Sequence, residues 1–131
     1  MNKNIRRLPD SELEVMQAIW TYTPSAGENT QPVSRVQIEE VLQDNEMAAT
    51  TLLTLLSRLA DKGFVQTEKA GRSNVYTPLV SQADYLAAQS RSFLDKLCGG
   101  SLSTFANALT DSGLTKEELD ELRRLLERGQ L

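Results

Sequence analysis

The stretch Ala48–Gly63, AATTLLTLLSRLADKG, constrains this chain most, because it must show two unlike faces at once. Leu52, Leu55, Leu56 and Leu59 recur at the i, i+3, i+4, i+7 spacing of an amphipathic helix and so face a core. At about 100° per residue, Thr50, Leu53, Thr54 and Ser57 project to the other side, with Arg58 on the flank. That second face carries short hydroxyls, one aliphatic side chain and one cation. Gly63 can end the helix in the left-handed conformation, and Lys62 suits the negative end of its dipole. On a lone helix such a face is a solvated surface; its neighbours decide whether it is more.

Upstream, Asp10 or Ser11 can cap a first helix, and Ser11 with Glu14 has capping-box spacing. Leu13, Met16, Ile19 and Trp20 supply its core face, and it ends near Thr21. The segment Thr21–Pro32 mixes Pro24, Gly27, Asn29 and Pro32 without periodicity and reads as a long exposed loop, a plain insertion. A second helix begins at Ser34, which can cap it while Gln37 reaches back; Val33 can staple onto Ile38, and Ile38, Val41 and Leu42 are its buried face. Asn45 could cap the Ala48–Gly63 helix, since Ala48 and Ala49 are poor caps. After Gly63 the period changes to two. Phe64, Val65 and Thr67 lead to a turn at Ala70–Ser73, and Asn74–Leu79 returns with Val75, Thr77 and Leu79 on one side. Pro78 is tolerable because this second strand can lie at an edge and end there.

Three helices followed by a hairpin with a basic tip are the order of a winged helix-turn-helix, in which the third helix enters the major groove and the hairpin lies along the backbone. A generic small α+β module could use the same elements. Under the winged reading, Thr50, Thr51, Leu53, Thr54 and Ser57 meet base edges or phosphates, and Arg58, Lys62, Lys69 and Arg72 meet phosphates.

Charge has to be read by region, because the net charge of −4 is wrong for a nucleic-acid binder. Residues 1–9 hold Lys3, Arg6 and Arg7 with no acid. Between Met47 and Tyr76 four cations face two acids, whereas residues 81–131 hold six cations and eight acids. Locally basic stretches on an acidic body are compatible with DNA.

The 131 residues, 40% of them hydrophobic, suffice for one ordinary domain or a small domain with an appendage. Cys98 is the single cysteine, which rules out an internal disulfide. With no histidine in the chain, the usual zinc ligand sets and a Ser-His-Asp triad are ruled out too, and no cofactor or metal is expected. Cys98 reads as a packing residue at the end of an apolar helix. There is no carboxylate pair, nucleophile–base constellation or phosphate loop, so an enzyme is the weakest reading. No apolar run approaches membrane-spanning length, and MNKNIRRLPD lacks the apolar part of a signal peptide; a cytoplasmic protein without membrane contact is expected.

The remainder is helical and short of core. Ser81 with Asp84 caps a fourth helix bearing Leu86, Phe93, Leu94 and Leu97, broken at Gly99-Gly100. A fifth carries Leu102, Phe105, Ala106 and Leu109. In a sixth, Thr115 and Glu118 form a capping box, Leu114 staples onto Leu119, and Leu119, Leu122 and Leu126 make a stripe. Three short amphipathic helices cannot bury these faces among themselves, so their partner is expected to be a second copy, with Phe93, Leu97, Phe105, Leu119 and Leu122 in the shared core. The domains expected are residues 1–80, a winged-helix DNA-binding domain, and 81–131, a helical dimerisation region; the fold class is mainly α with a small β-hairpin.

Four motifs in order carry a family resemblance: E-x-E-V-M-x-x-I-W at Glu12–Trp20, L-x-x-L-L-S-R-L-x-x-K-G at Leu52–Gly63, Y-T-P-L-V-S at Tyr76–Ser81 and S-F-L-D-K-L-C-G-G-S-L at Ser92–Leu102. Together they resemble the penicillinase and methicillin-resistance repressors and the related copper-responsive repressors. The resemblance implies a homodimeric winged-helix transcriptional repressor that binds an inverted-repeat operator in double-stranded DNA until a signal releases it. It also marks departures. Basic residues of the resistance repressors are replaced here by Thr50 and Leu53, so base preference can differ. The C-x-C pair of the copper-responsive members is missing, so metal sensing through such a tail is not expected. A regulatory protease cleaves the resistance repressors between Asn and Phe; the counterpart by position is Asn107-Ala108, without the Phe. The loop Thr21–Pro32 is longer than the family's usual connection. The alternative from another class is a winged-helix module that binds protein and never touches DNA.

Overall fold

The elements follow from the residue patterns. In a computed structural model of the chain, which describes residues 5–27, 29–43 and 47–129, they run α1 (Asp10–Tyr22), β1 (Val33–Ser34), α2 (Arg35–Leu42), α3 (Ala49–Asp61), β2 (Val65–Ala70), β3 (Ser73–Pro78), α4 (Gln82–Ser92), α5 (Leu102–Asp111) and α6 (Lys116–Arg128). This is a winged helix-turn-helix followed by further helices. Contacts divide the chain into two compact units, Met1–Gln89 and Ser90–Leu131. Lys3 and Asn45 lie outside the described residues.

In the first unit, α1 and α3 pack against each other and α2 closes the third side. The core is built from Val15, Met16, Ile19 and Trp20 of α1, Ile38 and Leu42 of α2, the four leucines of α3, and Val33, Phe64, Val65 and Tyr76 around the sheet. Ser34 and Gln37 form the expected capping box: the Gln37 N–H donates to Ser34 Oγ (3.2 Å) and the Ser34 N–H to Gln37 Oε1 (2.9 Å). The box proposed for Ser11 and Glu14 does not cap α1. Pro9 is its N-cap, at φ −56° and ψ 154°, so Asp10 and Ser11 are already inside the helix. Val41 is exposed rather than buried, because the narrow inward face of the eight-residue α2 is filled by Ile38 and Leu42.

The sheet has three strands, not two. The short β1 pairs antiparallel with β3, Val33 opposite Tyr76 and Ser34 opposite Val75, giving the order β1-β3-β2. This changes two expectations. The strand carrying Pro78 is central, not an edge; Pro78 is accommodated because it is the last residue of β3, beyond the reach of β1. Burial along β3 does not alternate: Tyr76, Thr77 and Pro78 are buried while Val75 and Leu79 are only partly covered, since the strand has neighbours on both sides and its end runs under other segments.

Thr21–Pro32 is no plain insertion. Buried Thr23 donates its hydroxyl to the Gln31 carbonyl (3.0 Å), the Gly27 N–H donates to the Pro78 carbonyl (3.2 Å), and the Gln82 N–H donates to the Pro24 carbonyl (3.0 Å). The loop therefore holds the end of β3 and the start of α4 together. On α4 the residue facing the core is Tyr85, not the expected Leu86, which is exposed. Its ring stacks against Trp20 (centroids 5.5 Å apart) and meets Phe64 edge-on (5.9 Å), and its hydroxyl accepts the Leu8 N–H at 2.9 Å. Trp20 in turn donates Nε1–H to the Val80 carbonyl (3.0 Å).

Two further expected caps are present: Ser81 Oγ, just before α4 in the first unit, accepts the Asp84 N–H, and in the second unit Thr115 and Glu118 form a complete box on α6. The α-helical bonding of α4 stops at Ser92; Phe93–Leu97 form a π-helical turn, ending before Gly99 and Gly100, both at positive φ.

The aromatic cluster predicts a measurable asymmetry between neighbours. In the full chain, Tyr85→Ala should destabilise the first unit by about 3–5 kcal/mol and Tyr85→Phe by about 1 kcal/mol. Leu86→Ala should change it by less than about 0.5 kcal/mol. Urea unfolding followed by the fluorescence of Trp20, the single tryptophan, reads all three directly.

Candidate nucleic-acid interface

The candidate surface is organised by α3, whose orientation is not free. Leu52, Leu55, Leu56 and Leu59 are all buried, and exposing a buried leucine costs about 1.5–3 kcal/mol, so rolling the helix would cost about as much as a domain's whole stability. Thr50, Thr51, Leu53, Thr54, Ser57 and Arg58 are consequently exposed. Leu53 keeps 41% of its surface open, a large aliphatic side chain among hydroxyls. Thr54 donates its hydroxyl proton to the Thr50 carbonyl (3.0 Å), which leaves its oxygen as an acceptor on the outer face.

Both ends of α3 are defined. Ala48 is the N-cap and makes no side-chain cap bond, so among the described residues no capping side chain satisfies the N–H groups of the first turn. At the other end, the Phe64 N–H donates to the Leu59 carbonyl (2.9 Å) and the Gly63 N–H to the Ala60 carbonyl (3.0 Å), with Gly63 at φ +81°. These two bonds are the Schellman arrangement, and the buried pair Phe64 and Leu59 supplies its apolar contact. The chain thereby passes from recognition face to wing with no slack.

The wing is the β2–β3 hairpin, closed by Gly71 and Arg72 with Gly71 at φ +67° and Ala70 opposite Ser73. Lys69 and Arg72 sit exposed at its tip. Among the described residues Arg58, Lys69 and Arg72 form no ion pair, while Arg35 pairs with Glu39 across one helical turn. Lys62 differs from the other three candidates. Its ammonium lies 2.5 Å from a carboxylate oxygen of Glu12 on α1, and the Glu12 side chain is only 4% exposed. Sequence spacing offered no sign of this pair, since its members are 50 positions apart.

The residues assigned to dimerisation fall in the second unit. Phe93 and Leu97 are exposed, Leu97 at 74%, and Phe105, Leu119 and Leu122 are half-buried. Phe93 and Phe105 pack with their rings tilted at 53° and centroids 5.4 Å apart. Leu94 and Cys98 are buried, but α5 and α6 bury no residue at all. Asn107 is exposed within α5, with Ala108 half-buried beside it. Among the described residues no group of His, Cys, Asp and Glu is placed to hold a metal ion, and no helix is long and apolar enough to cross a membrane.

Comparison with known proteins places these features in a family. A penicillinase repressor from Bacillus licheniformis is 36% identical over 126 residues, covering 95% of this chain and 93% of its own. The methicillin resistance regulatory protein MecI of Staphylococcus aureus (strain N315) is 29% identical over 127 residues, covering 96% and 98%. A solution structure of the monomeric form of Bacillus licheniformis BlaI in complex with the blaP half-operator is 32% identical, at a TM-score of 0.47, over 64% of this chain and 94% of that one. The penicillinase repressor family model matches residues 8–128, and the chain belongs to that family.

Proposed function

We propose that this protein is a DNA-binding transcriptional repressor that acts as a homodimer on an inverted-repeat operator. The observation that carries the reading is the outward face of α3: hydroxyls and one leucine held by a fully buried leucine stripe, flanked by Arg58 and by the wing cations Lys69 and Arg72, none of them paired among the described residues. Family membership sets the class, since the matching family model and the Bacillus licheniformis relative both carry the name penicillinase repressor. In this reading α3 lies in the major groove. Thr50, Thr51, Thr54 and Ser57 meet base edges or phosphates, Leu53 meets a thymine methyl, and Arg58, Lys69 and Arg72 meet the backbone. The uncapped first turn of α3 suits a phosphate. Such a protein works where the chromosome is, in the cytoplasm.

Dimerisation supplies much of the affinity. One wing and one α3 neutralise few phosphates, and non-specific affinity depends chiefly on that number. Joining two such units makes the second contact intramolecular, which raises affinity by about two to four powers of ten. The second unit supports this role, because Leu97, Leu102 and Leu126 are exposed on helices whose polar faces are already complete. Half-sites should then be centred about one helical turn apart.

Selection of bound duplexes from a randomised library tests the reading and yields the operator sequence. An enriched inverted repeat is expected; no salt-sensitive complex up to high protein concentration would favour a module that binds protein instead. With the selected duplex, Thr54→Ala should alter preference among sequence variants. Arg72→Ala should weaken all sequences alike and lower the slope of log K against log salt by about 0.9. An unchanged affinity and slope for Arg72→Ala would remove the wing from the interface.

Leu119→Glu with Leu122→Glu should give monomers in sedimentation and abolish binding to the full operator while the first unit stays folded. A variant that sediments as a monomer yet binds one half-site as tightly as the parent binds two would defeat the dimer account.

A further inference from the structure

Glu12 is the one charged side chain among the buried polar groups of the described residues. It lies in the first turn of α1, the helix packed directly on α3, and its partner Lys62 is the C-cap residue of α3. The Lys62 side chain is 29% exposed against 4% for Glu12, so the carboxylate is sealed under the ammonium while the lysine keeps a solvated edge. Core leucines fix which face of α3 points inward, and apolar burial carries no direction of its own. The charge pair does: a buried carboxylate that loses its cation is severely penalised, so the pair favours the axial position that keeps the Lys62 ammonium over Glu12. Arg58, one turn before Lys62, has no such partner among the described residues.

We propose that Glu12 is a positioning residue for DNA recognition: through Lys62 it fixes the axial register of α3 against α1, and so the height at which Thr50, Leu53, Thr54 and Ser57 meet the bases. Lys62 is thereby a pin and not a phosphate contact. This rests on the DNA-binding reading above.

The consequence is a split between specific and non-specific binding. Glu12→Gln keeps the volume of the side chain and removes the charge, freeing an ammonium beside the interface. Affinity for the duplex selected by the parent should fall at least about tenfold, the equivalent of one lost base contact. Affinity for an alternating poly(dI-dC) duplex of the same length should hold or rise, with a salt slope no shallower than the parent's. Lys62→Arg, which keeps the cation, should retain the parent's discrimination within about twofold. Lys62→Met should lose discrimination with no loss of salt slope on poly(dI-dC), in contrast to Arg58→Gln, which should lower that slope by about 0.9. Each titration is run below the unfolding transition of the variant, as read by Trp20 fluorescence.

If Glu12→Gln weakened both duplexes by the same factor, or left both unchanged, the pair would serve stability alone and the inference would fail. A fall in salt slope for Lys62→Met would return Lys62 to the phosphate contacts and also overturn it. These outcomes differ from failure of the DNA reading itself, in which the parent enriches no duplex at all.

Discussion

The first unit depends on the commitment of four leucines of α3 to the core. Leu52, Leu55, Leu56 and Leu59 leave the helix no other stable orientation, and every feature of the candidate interface follows from that. The outward face must be the one bearing Thr50, Leu53, Thr54 and Ser57. The chain must leave at Gly63, where the left-handed turn and two hydrogen bonds send Phe64 back into the core and start the wing. Burial sets the face and the cap sets the exit, while the Glu12–Lys62 pair adds a directional contact between α1 and α3 that apolar packing lacks.

The wing needs more support than a hairpin supplies. An isolated two-stranded hairpin is marginal in water, and here β3 is braced on its other side by the two residues of β1 and anchored by Tyr76 in the core. The end of β3 is held by the loop before β1, through Gly27 and Pro78, and the same loop holds the start of α4 through Pro24 and Gln82. With Tyr85 wedged among Trp20, Phe64 and Leu8, the first turns of α4 are structurally part of the DNA-reading unit. Cations at the wing tip therefore sit on a hairpin that is braced on its far side and anchored in the core.

The second unit obeys the opposite balance. At roughly 40 residues a chain has too little interior to hide three amphipathic helices. Its helices are well capped and paired along their polar faces, by Thr115 with Glu118, Arg91 with Asp95 and Arg123 with Glu127, yet its aliphatic side chains stay largely open. Local helix signals are complete while burial is not.

Local pattern was enough for what depends on neighbours along the chain: the helices, the boxes at Ser34 and Thr115, the stop at Gly63, the buried face of α3 and hence its exposed one. These rest on periodicity and on contacts three or four residues apart, which a sequence displays directly. The family, too, was legible, because its motifs are short and ordered. What only the tertiary structure decided are contacts between distant positions. Two residues at Val33–Ser34 carry no strand signal until β3 lies beside them, which is why Pro78 was misplaced at an edge. Tyr85 and Leu86 are equally apolar on paper, and only the packing of Trp20 and Phe64 selects the first. The pairing of Glu12 with Lys62 spans 50 positions, and no spacing rule links two charges so far apart. It exists because α1 and α3 pack with those ends together, and it gives a lysine that reads as a DNA contact a buried carboxylate partner within the fold.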